Sequence, residues 1–122
     1  MGIKIGCAAW TWTEPAHNPP YEEAIKSIGE LGFDGIELIL RDFEDVENYW
    51  TKDKRKEIKS MVDYYGLQVS QFAMFQNVMD GLASLEEEKK NRSIEAFKNG
   101  CEISADPVSY THLRAHETSA HL

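Results

Sequence analysis

The feature that most constrains this chain is a rhythm. Short apolar runs alternate three times with longer stretches of helical periodicity. The spacing predicts a first strand over residues 3–9, broken by Gly6, and then a loop punctuated by Pro15 and Asn18-Pro19-Pro20. A helix is expected over 21–31, with Pro20 at its first position and Glu22 and Glu23 at its positive end. Tyr21, Ala24, Ile25, Ile28 and Leu31 make one stripe, and Gly32 serves as the C-cap. A second strand is expected over 36–40, a charged loop over 41–51, and a helix over 53–65. That helix carries Ile58, Met61, Val62 and Tyr65 on one face and ends at Gly66. A third strand follows over 67–72, then a long connection over 75–83. The last helix is expected over 85–101, with Ser84 and Glu87 as a capping box and Ile94, Ala96, Phe97 and Cys101 on its inner side.

Strands alternating with helices of this length imply a parallel sheet with right-handed crossovers. Along the second strand Ile36, Leu38 and Leu40 point to one side, the side a helix layer covers. Gly35, Glu37 and Ile39 point to the other, a barrel interior or the far face of an open sheet. The rhythm stops after about residue 105. Residues 106–122, DPVSYTHLRAHETSAHL, hold three of the four histidines and keep neither a two-residue nor a 3.6-residue period. They read as an unstructured or non-native tail.

Charge narrows the partners. Thirteen basic against 21 acidic residues give a formal charge of −8, which argues against a nucleic-acid binder. No apolar run approaches the roughly 18 residues of a membrane span, and no secretory leader is visible at Met1-Gly2-Ile3-Lys4. Cys7 and Cys101 lie far apart and make neither a disulfide scaffold nor a zinc ribbon, so a reducing, cytoplasmic setting is expected.

Several stretches carry a family likeness: Ile3-Lys4-Ile5-Gly6, Tyr21-Glu22-Glu23-Ala24-Ile25, Tyr65-Gly66-Leu67-Gln68-Val69-Ser70 and above all Leu31-Gly32-Phe33-Asp34-Gly35-Ile36-Glu37-Leu38. Together they resemble the sugar phosphate isomerase/epimerase family, the xylose-isomerase-like barrels, over residues 3–105. The resemblance implies an α/β fold, a partial (β/α)8 TIM barrel of about three units. A complete barrel takes about 250 residues, so three units in about 105 keep its pace. It also implies a parent that isomerises or epimerises sugars, or dehydrates an inositol-type ketone. Such a parent would use a divalent metal (Mn, Mg, Co or Zn) held by later strands. No residue of this chain matches a ligand position, so no metal residues are assigned and the chain alone is expected to be inactive. Residues 107–118 resemble the peptide produced when sequencing-adaptor DNA is translated as coding sequence. A disordered extension or a histidine-rich metal tract are the plainer alternatives.

Glu37 is the leading candidate for substrate contact, since a carboxylate at the mouth of a barrel can bind a sugar hydroxyl or assist proton movement. The plainer reading is a structural carboxylate paired with Arg41 or Lys4. Trp10 and Trp12 follow the first strand and could present indole faces to a sugar ring, or anchor the loop by burial. His17, on the same loop, could reach a substrate oxygen or simply be solvated. Ser70, Gln71, Phe72, Gln76 and Asn77 end or follow the third strand and could meet sugar hydroxyls. Cys7 reads as a small core residue. Two other classes remain: a small self-contained acidic α/β binding module, and a fragment of a barrel-type metal-dependent DNA-repair endonuclease. The expected partners are a small sugar or sugar phosphate, with no nucleic acid and no membrane. Open sheet edges, flanking an apolar interior face, give a route to self-association.

Overall fold

The computed structural model describes residues 2–105; the expected tail over 106–122 lies outside the described residues. Three parallel strands, β1 (Gly6–Ala8), β2 (Gly35–Leu40) and β3 (Gln68–Met74), form one open sheet in the order β1-β2-β3. Between and after them run α1 (Glu22–Glu30), a one-turn α2 (Asp45–Asn48), α3 (Lys52–Tyr64), a one-turn α4 (Gln76–Met79) and α5 (Glu87–Ile103). The expected strand–helix order is therefore observed.

The helix ends were legible because their chemistry is local. Gly32 and Gly66 adopt φ of +88° and +68°, which only glycine takes without strain. In both places the next residue reaches back five positions, Phe33 N–H to Ile28 O and Leu67 N–H to Val62 O. These are Schellman closures, and each pairs two apolar residues across the helix end. Thr51 starts α3 by accepting the Lys54 N–H at 3.2 Å.

Several boundaries differ from expectation. Only Gly6–Ala8 of the first run forms strand, because only those residues pair with Gly35, Ile36 and Glu37. Ile3 and Ile5 stay exposed, and residues 9–11 wind into a 3-10 turn against β2. The first helix begins at Glu22 with Tyr21 as its N-cap, so Pro20 lies outside it, and Leu31 falls past its end and is exposed. The last helix begins at Glu87, not Leu85. Ser84 Oγ accepts the Glu86 N–H at 3.1 Å and makes no cap. Its buried face is Ser93, Ala96, Gly100 and Ile103, while Phe97 and Cys101 are exposed. Small residues win because the neighbours come close. A Cβ on Gly100 would fall 2.7 Å from Met74 Sδ.

The register carries one irregularity. Ile36 pairs with Val69 but Glu37 pairs with Gln71, so Ser70 is an extra residue, a β-bulge. Its hydroxyl donates to Ile36 O at 3.2 Å. Paired residues of a parallel sheet share a face. Val69, Phe72 and Met74 therefore join Ile36, Leu38 and Leu40 beneath the helices, where Ile25, Ile28, Ile58 and Val62 are buried against the sheet. The opposite face holds Glu37, Ile39, Gln68, Ser70, Gln71 and Ala73. It is not the apolar surface expected: Gln68, Ser70 and Gln71 are exposed, and Ile39 is fully buried.

The expected charged loop over 41–51 conceals part of the core. Trp50 is fully buried, with its ring 5.0 Å from Tyr49, 5.4 Å from Phe72 and 6.0 Å from Tyr21. Its indole N–H donates to Ile39 O at 3.0 Å, and its carbonyl accepts Arg55 Nε at 3.0 Å. Tyr49 ties this core to α1, its hydroxyl donating to Glu22 Oε2 at 3.1 Å while accepting the Tyr21 N–H at 3.0 Å. Lys54 Nζ bridges Glu22 at 2.6 Å and Glu57 at 2.7 Å.

This network has a pH signature. Burial pushes the Glu22 carboxyl up, but hydrogen bonds from Lys54, the backbone and Tyr49 outweigh it and hold the group below the ordinary carboxylate range. A group whose pKa is depressed by folding lends stability above its unfolded pKa and withdraws it as pH falls through the folded value. Asp45, pushed up by burial, acts in the opposite sense. The clean readout is therefore a comparison. Lys54→Met should lose about 0.5–1 kcal/mol near neutrality. The difference from wild type should shrink as the pH falls through the carboxylate range, as read by urea midpoints at several pH values.

Candidate functional site

In a barrel, binding groups gather beyond the carboxyl ends of the strands. Here that end is formed by the segments after β1, β2 and β3. The chain leaves β1 through the 3-10 turn, and the His17 N–H returns to Trp10 O at 2.9 Å to close the loop. His17 takes φ of +76°, a left-handed conformation that a non-glycine residue adopts only when its surroundings hold it there. The Tyr21 hydroxyl helps by donating to His17 O at 2.9 Å. The His17 ring stacks on Trp10 with centroids 4.7 Å apart, and Phe75, directly after β3, closes the cluster at 5.0 Å from His17 and 6.4 Å from Trp10. His17 is thus a half-buried member of an aromatic cluster rather than a solvated loop residue.

Glu37 sits in the middle of β2, on the face away from the helices, level with Ala8 and Gln71. It is half-buried, and among the described residues no hydrogen bond or ion pair holds its carboxylate. Arg41 does not pair with it; its Nη1 lies 3.7 Å from Asp42 Oδ2 instead. Removing a half-buried charge without a partner relieves a desolvation penalty. Glu37→Leu is accordingly expected to stabilise the chain by about 1 kcal/mol, seen as a higher urea midpoint. A lower midpoint would mean that the carboxylate is held by the fold.

The other candidates scatter. Trp12 stands apart from the cluster, half exposed, its indole N–H against Cys7 Sγ at 3.2 Å. Cys7, paired with Ile36, packs against the core as expected of a small core residue. Phe72 belongs to the helix-facing layer with Leu38 and Trp50, away from the mouth. Ser70 and Gln71 are on the open face beside Gly6, Gly35 and Glu37. Gln76 and Asn77 open α4, and their side chains lie outside the described residues.

Three buried polar atoms have no hydrogen-bond partner among the described residues: Trp10 Nε1, Asn18 Oδ1 and Arg41 Nε. All three belong to segments that follow a strand at its carboxyl end, two after β1 and one after β2. Buried polar atoms are nearly always paired, so each of these two donors and one acceptor is left for a group that the described residues do not supply. Asn18, Arg41 and Phe75 were not singled out from sequence. From sequence Asn18 reads as turn punctuation and Arg41 as a structural partner for Glu37 rather than as a site residue. Only the position of Phe75, immediately after the third strand, hinted at the mouth.

No three His, Cys, Asp or Glu side chains come together to hold a metal ion among the described residues, and none of their helices is long and apolar enough to cross a membrane. The family model of the xylose isomerase-like TIM barrels matches residues 24–117, from within α1 to beyond α5. No curated protein matches the chain.

Proposed function

The chain belongs to the xylose isomerase-like TIM barrel family, and on that footing we propose that it forms the first three strand–helix units of a sugar or sugar-phosphate isomerase or epimerase. The family comprises barrels of sugar-isomerase and endonuclease type. The formal charge of −8 favours the sugar over a polyanionic duplex. The observation that carries the reading is the set of unpaired buried atoms at the strand ends. The Trp10 indole N–H would donate to a sugar oxygen and the Asn18 side-chain carbonyl would accept from a hydroxyl. Glu37 would accept another hydroxyl from the open face, and the faces of Trp10 and His17 would cover the apolar side of the ring.

The family implies a divalent metal, Mn, Mg, Co or Zn. The described residues do not fit one, since Glu37 has no second ligand beside it. No proton-transfer step is therefore assigned to them, and in this reading the metal ligands come from later strands. Purified chain titrated with manganese is expected to show no micromolar site and no turnover of aldoses or ketoses. The encoding locus read past codon 105 is expected to continue into five further units, in keeping with the eight of a closed barrel. A defined micromolar metal site, or a stop after Leu122, would overturn the proposal in favour of a small self-contained module.

A further inference from the structure

At the same end of the sheet but outside the aromatic cluster, the loop after β2, the 3-10 turn over Asp80–Ala83 and the start of α5 line an open pocket of about 500 Å³. Its walls carry Arg92, Lys89, Ser84, Ser93, Phe43 and Asp80. None of Trp10, His17, Glu37, Arg41 and Phe75 lines it. Two cations face one acid here, in a chain where acids outnumber bases 21 to 13. Arg92 is exposed and has no carboxylate partner among the described residues. Its guanidinium instead lies 4.4 Å from the centre of the Phe43 ring. That contact orients the planar fork, and its N–H donors have no acceptor among the described residues. Among the described residues Lys89 is held by one exposed pair, with Glu86 at 3.4 Å, which water and salt readily open. The wall itself is built firmly. Ser93 is buried, and its hydroxyl accepts the Gly81 N–H at 3.0 Å. A Cβ on Gly81 would fall 2.4 Å from Lys89 O and from Ser93 Oγ, so turn and helix are in close contact.

We propose that this cavity binds a compact oxyanion, phosphate or carboxylate, carried by a small molecule with an apolar flank. Arg92 supplies paired N–H donors, the geometry that suits both anions, and Lys89 adds a second positive charge. A neighbouring cavity of about 250 Å³ shares Phe43 and Arg92 and is lined by Val46 and Ala96, which gives the apolar flank its place. Both cavities are walled by described residues alone. The site is independent of the sugar reading above, and neither stands or falls with the other.

The test is a calorimetric titration of the full chain with phenyl phosphate and, separately, with benzoate, two anions that share one ring. Saturable binding is expected, weakened about tenfold or more by Arg92→Gln and tightened several-fold by Asp80→Asn. Saturation by phenyl phosphate alone identifies a phosphate ligand. Saturation by benzoate alone identifies a carboxylate, and either result supports the site. Absence of saturation with both anions, or binding that Arg92→Gln leaves unchanged, would overturn it. Because Arg92 is exposed, the variant keeps the fold, and an unchanged urea midpoint verifies this.

Discussion

Trp50→Ala is expected to unfold the chain. Truncating a buried aromatic removes about 3–5 kcal/mol, which rivals the whole stability of a small domain. Here the ring fills the space between Tyr21, Tyr49 and Phe72, so its loss opens the junction of α1, α3 and β3 at once. The indole N–H also satisfies Ile39 O in the middle of the sheet, and that carbonyl would be left unpaired. Trp50→Phe separates the two effects. It keeps most of the ring and should lose only about 1–3 kcal/mol, the scale of an orphaned buried acceptor. Circular dichroism and urea titration of both variants make the comparison. Equal, small losses in the two would show that the aromatic junction does not hold the fold.

The second large effect is expected in solution behaviour. Both β1 and β3 are edges of the described sheet, with a row of backbone groups on one side unpaired by any described strand. Of the two, β3 is the longer, seven residues against three. A second copy laying its strand along that edge would extend the parallel sheet, and this is the association we propose for the chain. Charged residues that point inward on an edge strand oppose such pairing. Gln71→Lys with Ala73→Lys places two of them on the open face of β3, beside Glu37 and Ile39. Sedimentation should show concentration-dependent association of the wild type, weakened about tenfold or more in the double variant. A wild type that stays monomeric throughout would refute the idea.

Much of the architecture could be read from the residues, and the reasons are local. Gly32 and Gly66 announce helix ends because a left-handed closure needs glycine. Ile36, Leu38 and Leu40 announce a buried face because a strand alternates strictly. What escaped depends on encounters between distant segments. Tyr49 and Trp50 sat in a stretch read by its charges, and only their meeting with Tyr21 and Phe72 makes them core. On α5 the large apolar residues drew attention, yet Ser93, Ala96 and Gly100 are buried because the turn at Gly81 and the Met74 side chain press in. At the site, Glu37, Trp10 and His17 stood out by residue type. Arg41 and Asn18 did not, since an unpaired buried atom can be recognised only once its surroundings exist.

The extra residue at Ser70 sets a parity rule within β3. Before it, the odd position Val69 faces the helices; after it, the even positions Phe72 and Met74 do. Removing that single residue would leave Val69, Gln71 and Phe72 in strict alternation, so Phe72 and Met74 would stay under the helices, Gln71 and Ala73 would stay on the open face, and the strand would lose only its local kink. Position 70 is thus the one place in β3 where a residue can be dropped without exchanging inside for outside, whereas positions 69 and 72 must stay apolar because their side chains face the helices.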